Sequence, residues 1–351
     1  GSEMCIRDRG SPLRFYGSFE AAIAVLGCRL QSHNATQTGL YGLRECEVSQ
    51  QALTNLVVRR AAGALGAFVE GVSLKDIAES EAVYVAVHQA ILEHEVLFFR
   101  DQQMTPALFA AFAKRFGQVL GHPAYDTIAD APDVQILEST AAKPSKIEVW
   151  HSDMTFMQQP PSYTLLQGQI IPEIGGDTLW SSASAAYSGL SAGMREMLRP
   201  LWAVHDFRQG FRESLAEPGG AERLADTLAL HPPVVHPVIR RHPESGRLGI
   251  YVNPLFTTHI QCISARESQA LLSLLFEQIV SEEYTVRLQW APGTVAIWDN
   301  RVTQHKPVND FFPQHRLMHR NTQNGDRPLS CLLYKSPSPR DRNVSRMTTS
   351  A

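Results

Sequence analysis

The feature that most constrains this chain is a change of rhythm after Gly117. From there to about residue 321 it runs as short β-type segments cut by glycine and proline turns, at residues 134–137, 163–170, 178–181, 234–239, 249–252, 285–289, 295–299 and 315–321. Helical spacing interrupts them at 185–198 and 264–280. The second stretch opens on Ser264 with Glu267 three residues on, the spacing of a capping box. Many short strands with few helices predict a mainly β fold, a sandwich or barrel with flanking helices. Upstream, Val83, Val87 and Ile91 recur at helical spacing over 81–93. Residues 96–99 (Val-Leu-Phe-Phe) read as a buried strand. Thr105 and Pro106 fit the N-cap and first position of a helix running to Phe116, with Gly117 as its C-cap. No fixed-period repeat is present.

With 351 residues, 44% of them hydrophobic, the chain can bury one large core or two modest ones. A charged fraction of 19% and a net charge of -3 supply neither a basic groove for nucleic acid nor an acidic disordered block. The apolar run 21–28 is far too short to span a bilayer and lacks the flanks of a secretory signal, so no membrane role is expected. Five cysteines (Cys5, Cys28, Cys46, Cys262, Cys331) are scattered without CxxC spacing. That usage fits reduced thiols in the cytoplasm better than a disulfide framework or zinc site. Both ends read as foreign to the fold and resemble translated sequencing-adaptor read-through, so the first ten or so residues are expected to be artefactual. The expected organisation is an unassigned segment 1–52 with one short helix near 19–29, a domain over 53–330, and an artefactual or disordered tail 331–351.

The chemistry concentrates in Trp150-His151-Ser152-Asp153. On an extended segment residues i and i+2 face the same way, so His151 and Asp153 can chelate one ion. The spacing alone is weak evidence: 13 His and 35 acidic residues give about one His-x-acid match by chance. The pattern in fact occurs twice, and the second instance, His242-Pro243-Glu244, sits in a turn-rich stretch that reads as a surface loop. What strengthens the first is Trp298-Asp299-Asn300-Arg301-Val302-Thr303-Gln304-His305, which places a histidine just after an apolar strand, with Arg316 and Arg320 beyond. Two imidazoles and a carboxylate would leave three positions open on Fe(II), enough for a bidentate 2-oxoacid and O2. If 315–321 is a strand, Arg316, Met318 and Arg320 share a face. They are then either surface arginines on an edge strand or two buried anion receptors.

From Leu53 to Pro328 the chain resembles the taurine dioxygenase branch of the Fe(II)/2-oxoglutarate dioxygenases, which includes alkyl sulfate and aryloxyalkanoate enzymes. The resemblance rests on Phe98-Phe99-Arg100-Asp101-Gln102, Trp150 through Phe156, Gly175-Gly176-Asp177-Thr178-Leu179-Trp180, Val204-His205-Asp206-Phe207-Arg208, Trp298 through His305, and Arg316-Leu317-Met318-His319-Arg320. It implies a double-stranded β-helix (jelly-roll) core, with iron on His151, Asp153 and His305. It also implies 2-oxoglutarate on Arg316 with help from Thr178, and O2 as cosubstrate. His122 and Tyr125 fall at the family's sulfonate-binding histidine and amine-side tyrosine, and Arg320 at its sulfonate-binding arginine. Phe211 and Phe256 fall at aromatic pocket positions, where core packing is an equally simple reading. One departure stands out: Ile147 replaces the asparagine that serves taurine, and isoleucine cannot hydrogen-bond an ammonium. The expectation is a cytoplasmic homo-oligomer, dimer or tetramer, hydroxylating a small anionic organosulfur substrate such as a taurine-like alkylsulfonate. Alkyl sulfate esters and aryloxyalkanoates are the alternatives. A silent jelly-roll binding protein would more naturally have lost a ligand, and no Gly-x-Ser-x-Gly elbow or zincin motif supports a hydrolase.

Overall fold

The computed structural model describes residues 51–121, 125–145 and 147–332. The helix expected near 19–29, the foreign character of the first residues, the position of His122 and the tail after Leu332 lie outside the described residues. In chain order the strands are β1 (Val57–Arg60), β2 (Ala67–Glu70), β3 (Val96–Phe99), β4 (Thr127–Ile128), β5 (Ala131–Ser139), β6 (Tyr163–Ile170), β7 (Thr178–Ser182), β8 (Trp202–His205) and β9 (Val234–Pro237). They continue as β10 (Ile239–Arg241), β11 (Leu248–Ile250), β12 (Thr257–Ile260), β13 (Thr285–Leu288), β14 (Val295–Asp299), β15 (Thr303–Pro307), β16 (Arg316–Thr322) and β17 (Leu329–Ser330).

The large sheet runs β1-β2-β3-β14-β6-β16-β5-β4, and a smaller one runs β13-β7-β15. Strand alternation explains how they meet. Val96 and Phe98 of β3, and Ala296 and Trp298 of β14, point into a core shared with Trp180 of β7 and with Val286 and Leu288 of β13. The intervening Leu97, Phe99, Val295 and Ile297 point the other way, onto the helices Glu81–His94 and Pro106–Lys114. Strands covered on both faces must be apolar at every position, which is why 96–99 reads as an unbroken run. On the far side of the small sheet, the helix Ala265–Ile279 packs on β12 and on the helix Ala183–Gly189, burying Leu272, Leu275 and Ile279. No helix among the described residues is long and apolar enough to cross a membrane.

Local signals were obeyed where they were strong. Thr105 caps the helix Pro106–Lys114 by accepting from Leu108 N at 3.3 Å, and the Ser264–Glu267 capping box forms. Three expectations are corrected. The single helix over 185–198 is two, Ala183–Gly189 and Ala192–Leu198, because Ser191 leaves helical geometry to cap Met194 N. The strand over 234–239 breaks after Pro237, where β9 pairs with β8 and β10 turns to β11. Gly117, with φ 142°, lies two residues beyond the Arg115 cap instead of closing the helix itself.

Candidate active site

His151 is joined to His305 of β15 by an isolated antiparallel bridge, with His151 N donating to His305 O at 3.0 Å and His305 N to His151 O at 2.7 Å. This pairing brings together two ligands more than 150 residues apart in sequence and sets their rings 4.2 Å apart. Asp153 follows on the same side, with Oδ1 at 3.8 Å from His151 Nε2 and 3.9 Å from His305 Nε2. Directly after it the chain turns at Met154, whose φ of 45° lies in the left-handed region that costs a non-glycine residue strain. All three ligand side chains are buried, and their ligand atoms lie within 4.8 Å of one another. Among the described residues no other such group of histidine, cysteine and acidic side chains is found.

The protonation states suit a cation. Burial pushes both imidazoles down, most strongly His305, so both are neutral at pH 7. His151 Nδ1 lies 2.9 Å from Val149 O and donates to it, which leaves Nε2 with its lone pair facing Asp153. Burial would raise the Asp153 carboxyl, but Arg320, then His305 and His151, hold it well below the usual carboxylate range. Two neutral imidazoles and a carboxylate converging in a buried pocket are the donor set of the 2-His-1-carboxylate iron site, so the residues fit the metal.

Both arginines are in the interior. β16 lies between β6 and β5, not at an edge, and Arg316, Met318 and Arg320 are its buried face while Leu317 and His319 face outward. The surface-arginine alternative is thereby overturned. Arg316 packs 6.0 Å from the rings of Trp290 and Phe311, and its Nε has no hydrogen-bond partner among the described residues. Burial pushes the guanidinium down to about 10, against a partial offset from Asp177. A buried guanidinium with only a partial offset from a carboxylate is what an anion receptor requires. Thr178 is buried nearby in the fold, its hydroxyl accepting from Trp290 Nε1 at 3.0 Å.

Arg320 faces Asp153. Its Nη2 lies 2.8 Å from Asp153 Oδ2 and its Nε donates to Thr322 Oγ1 at 3.1 Å, with the Tyr125 ring 5.8 Å away. An anion bound there would share the guanidinium with the ligand carboxylate. Phe256 and Phe211 join Met154, Phe156 and Phe207 in an apolar cluster. Phe256 stands 5.0 Å from Phe156, and Phe211 is stacked 4.2 Å from Phe207. The cluster is packed core, joined in sequence to Asp153 through Met154 and Phe156. Leu224 and Leu228 from the short helices after Phe207 extend the cluster. Ile147 is half-buried, its carbonyl accepting from Asn309 Nδ2 at 3.1 Å.

The second His-x-acid pair is a correction of another kind. The turn 243–246 is exposed as expected, but His242 is only 1% exposed and lies 2.9 Å from Asp299 Oδ2. Asp299 in turn holds Arg301 Nη2 at 2.7 Å, and Arg301 bonds Tyr163 and Glu244. His242 lies in the β10–β11 connection, but as a buried structural clamp and not at the surface. Sequence reasoning also missed Thr164 and Asn300, which touch Asp153. The Trp298–His305 motif contained the second of them, but nothing marked the first.

The model of the family described as taurine catabolism dioxygenase TauD, TfdA family matches residues 58–322. The alkylsulfatase of Acinetobacter baylyi is 35% identical over 304 residues, 85% of this chain and 95% of that protein. The alpha-ketoglutarate-dependent sulfate ester dioxygenase of Pseudomonas putida is 33% identical, covering 78% of this chain and 91% of its own length. Among solved structures, a taurine dioxygenase from Burkholderia xenovorans superposes with a TM-score of 0.66 at 32% identity, over 79% of this chain and 93% of that one.

Proposed function

This chain belongs to the TauD/TfdA dioxygenases, enzymes dependent on 2-oxoglutarate (alpha-ketoglutarate). From that premise we propose that His151, Asp153 and His305 hold Fe(II) and that the substrate is a small organosulfur anion with an apolar chain. The observation that carries the reading is the buried face of β16. It presents Arg316, which forms no ion pair among the described residues, and, four residues on, Arg320 against the proposed iron ligand Asp153. When bound, iron supplies O2 activation, coupling conversion of 2-oxoglutarate to succinate and CO2 with hydroxylation of the substrate.

The chain's own residues provide the rest. Arg316, with the Thr178 hydroxyl, would take the distal carboxylate of 2-oxoglutarate, a charge-assisted contact made strong by burial. Arg320 and Tyr125 would receive the substrate's sulfur-bearing anion next to Asp153. The cluster of Phe156, Phe207, Phe211 and Phe256 would exclude water and line the path of an alkyl chain. With Ile147 in place of a hydrogen-bonding residue, that chain is better matched to a hydrocarbon than to the ammonium of taurine. Hydroxylation of the carbon bearing the sulfonate gives an adduct that collapses to an aldehyde and sulfite. On an alkyl sulfate ester the same step gives an aldehyde and sulfate, and the alkylsulfatase and sulfate ester dioxygenase relatives favour this second version.

The test is oxygen-dependent succinate release with Fe(II), 2-oxoglutarate and a panel of alkyl sulfates, alkylsulfonates, taurine and aryloxyacids. The reading expects the alkyl-chain sulfates or sulfonates to exceed taurine in kcat/KM. Turnover of taurine equal to that of the best alkyl substrate would refute the apolar-chain assignment. Uptake of neither iron nor 2-oxoglutarate would refute the whole reading.

A further inference from the structure

The carboxylate of Asp153 is held by a directional chain of hydrogen bonds that begins at Trp298, whose ring lies 4.8 Å from that of His305. Trp298 Nε1, which can only donate, lies 2.9 Å from Asn300 Oδ1. That contact fixes the Asn300 amide, whose Oδ1 also faces Asp153 N at 3.4 Å. Its Nδ2 must then donate, and it does so to Thr164 Oγ1 at 2.8 Å. With its oxygen already accepting, the Thr164 hydroxyl has one proton to give, and it lies 2.7 Å from Asp153 Oδ2. Arg320 Nη2 reaches the same oxygen at 2.8 Å. Oδ2 is thus taken by two donors, while Oδ1 is turned toward the two imidazole Nε2 atoms. Trp298, Asn300 and Thr164 are each 1% exposed or less, so water does not compete for these bonds.

We infer that Thr164 and Asn300 are positioning residues that fix which oxygen of Asp153 is presented to the metal, keeping its second oxygen off the ion. This rests on the proposed ligand set. A carboxylate free to rotate could occupy a further coordination position that the 2-oxoacid needs. Clamping Oδ2 prevents that, and a hydrogen-bonded carboxylate is also the better-oriented ligand.

The experiment is a titration of the ligand-free protein with Co(II) under anaerobic conditions, read by visible absorption. It compares wild type, Thr164→Val, Thr164→Ser, Asn300→Asp and the double variant Thr164→Val with Asn300→Asp, with circular dichroism reporting the fold of each. Thr164→Val should lose roughly 10- to 100-fold in Co(II) affinity and change the band shape, while Thr164→Ser stays within about threefold of wild type. Asn300→Asp reverses the chain, because a carboxylate there takes the Thr164 proton, and it should weaken Co(II) comparably. The double variant should be no weaker than Thr164→Val, since both act through one bond. Wild-type affinity and spectrum in Thr164→Val, or full additivity in the double variant, would overturn the inference. Should the valine variant not fold, Asn300→Asp at wild-type affinity would overturn it equally. Failure of wild type itself to take up Co(II) would instead refute the ligand set.

Discussion

Replacing Arg316 by methionine should move two quantities in opposite directions. The guanidinium is buried against Trp290 and Phe311, forms no ion pair among the described residues, and its pKa is pushed from 12.5 down to about 10 by burial, with a partial offset from Asp177. At 1.36 kcal/mol per unit, that shift corresponds to about 3 kcal/mol of cost in keeping the charge in the ligand-free fold. The folded protein binds this proton less tightly than the unfolded chain, so the penalty is fully present at pH 7 and is relieved only as pH rises past about 10. An apolar side chain of similar length removes the penalty, and such replacements stabilise by about 1–4 kcal/mol. The same change deletes the proposed receptor of the 2-oxoglutarate carboxylate, at a cost of about 2–5 kcal/mol, which is roughly 30- to several-thousand-fold in affinity. Urea denaturation without ligand should therefore show Arg316→Met more stable than wild type. Steady-state kinetics should show its KM for 2-oxoglutarate raised by at least thirtyfold, and 2-oxoglutarate should no longer raise its melting temperature. A less stable variant with an unchanged KM would refute the reasoning and make Arg316 an ordinary structural residue.

Glu95, buried against Ser184 and Arg247, is pushed up to about 7 by burial. The folded state therefore holds this proton more tightly than the unfolded chain, and stability falls as pH rises from about 4.5 to about 7, by up to about 3 kcal/mol. Glu95→Gln should flatten that slope in denaturation curves between pH 5 and 8; an unchanged slope would remove Glu95 as its source. Asp299→Asn removes the buried carboxylate shared by His242 and Arg301, leaving Arg301 its contact with half-exposed Glu244, and should destabilise by about 3–5 kcal/mol in urea titration, whereas a loss under 1 kcal/mol would contradict the clamp. Ile147→Asn restores a hydrogen-bonding group and should raise kcat/KM for taurine roughly 10- to 100-fold; no change would place Ile147 away from the substrate's amine end.

The parts of the fold legible in sequence were those whose cause is local. Residues 96–99 and 295–298 read as strand because both of their faces are covered and every position is apolar. The two N-caps at Thr105 and Ser264 were legible because capping acts over three residues. β15 was not, for Thr303-Gln304-His305-Lys306-Pro307 has no apolar signature and is a strand only through its pairing with β7. The site divides in the same way. The His151–Asp153 spacing is local, but its twin at His242 differs only in what lies across the core, where Asp299 waits 57 residues further on. Thr164 meets Asn300 across 136 residues, a contact that no local pattern could announce. Arg320 was placed on the correct face, yet its bond to Asp153 depends on how β16 passes the metal loop.

The central claim is that His151, Asp153 and His305 together hold the iron that 2-oxoglutarate joins. Its most direct test is anaerobic titration of the protein with Fe(II) and 2-oxoglutarate, following the visible charge-transfer absorption of the bound 2-oxoacid. Wild type should saturate at one equivalent of each, with the band lost in His151→Ala, Asp153→Ala and His305→Ala while each variant remains folded by circular dichroism. A band of undiminished strength in any folded ligand variant would contradict the assignment.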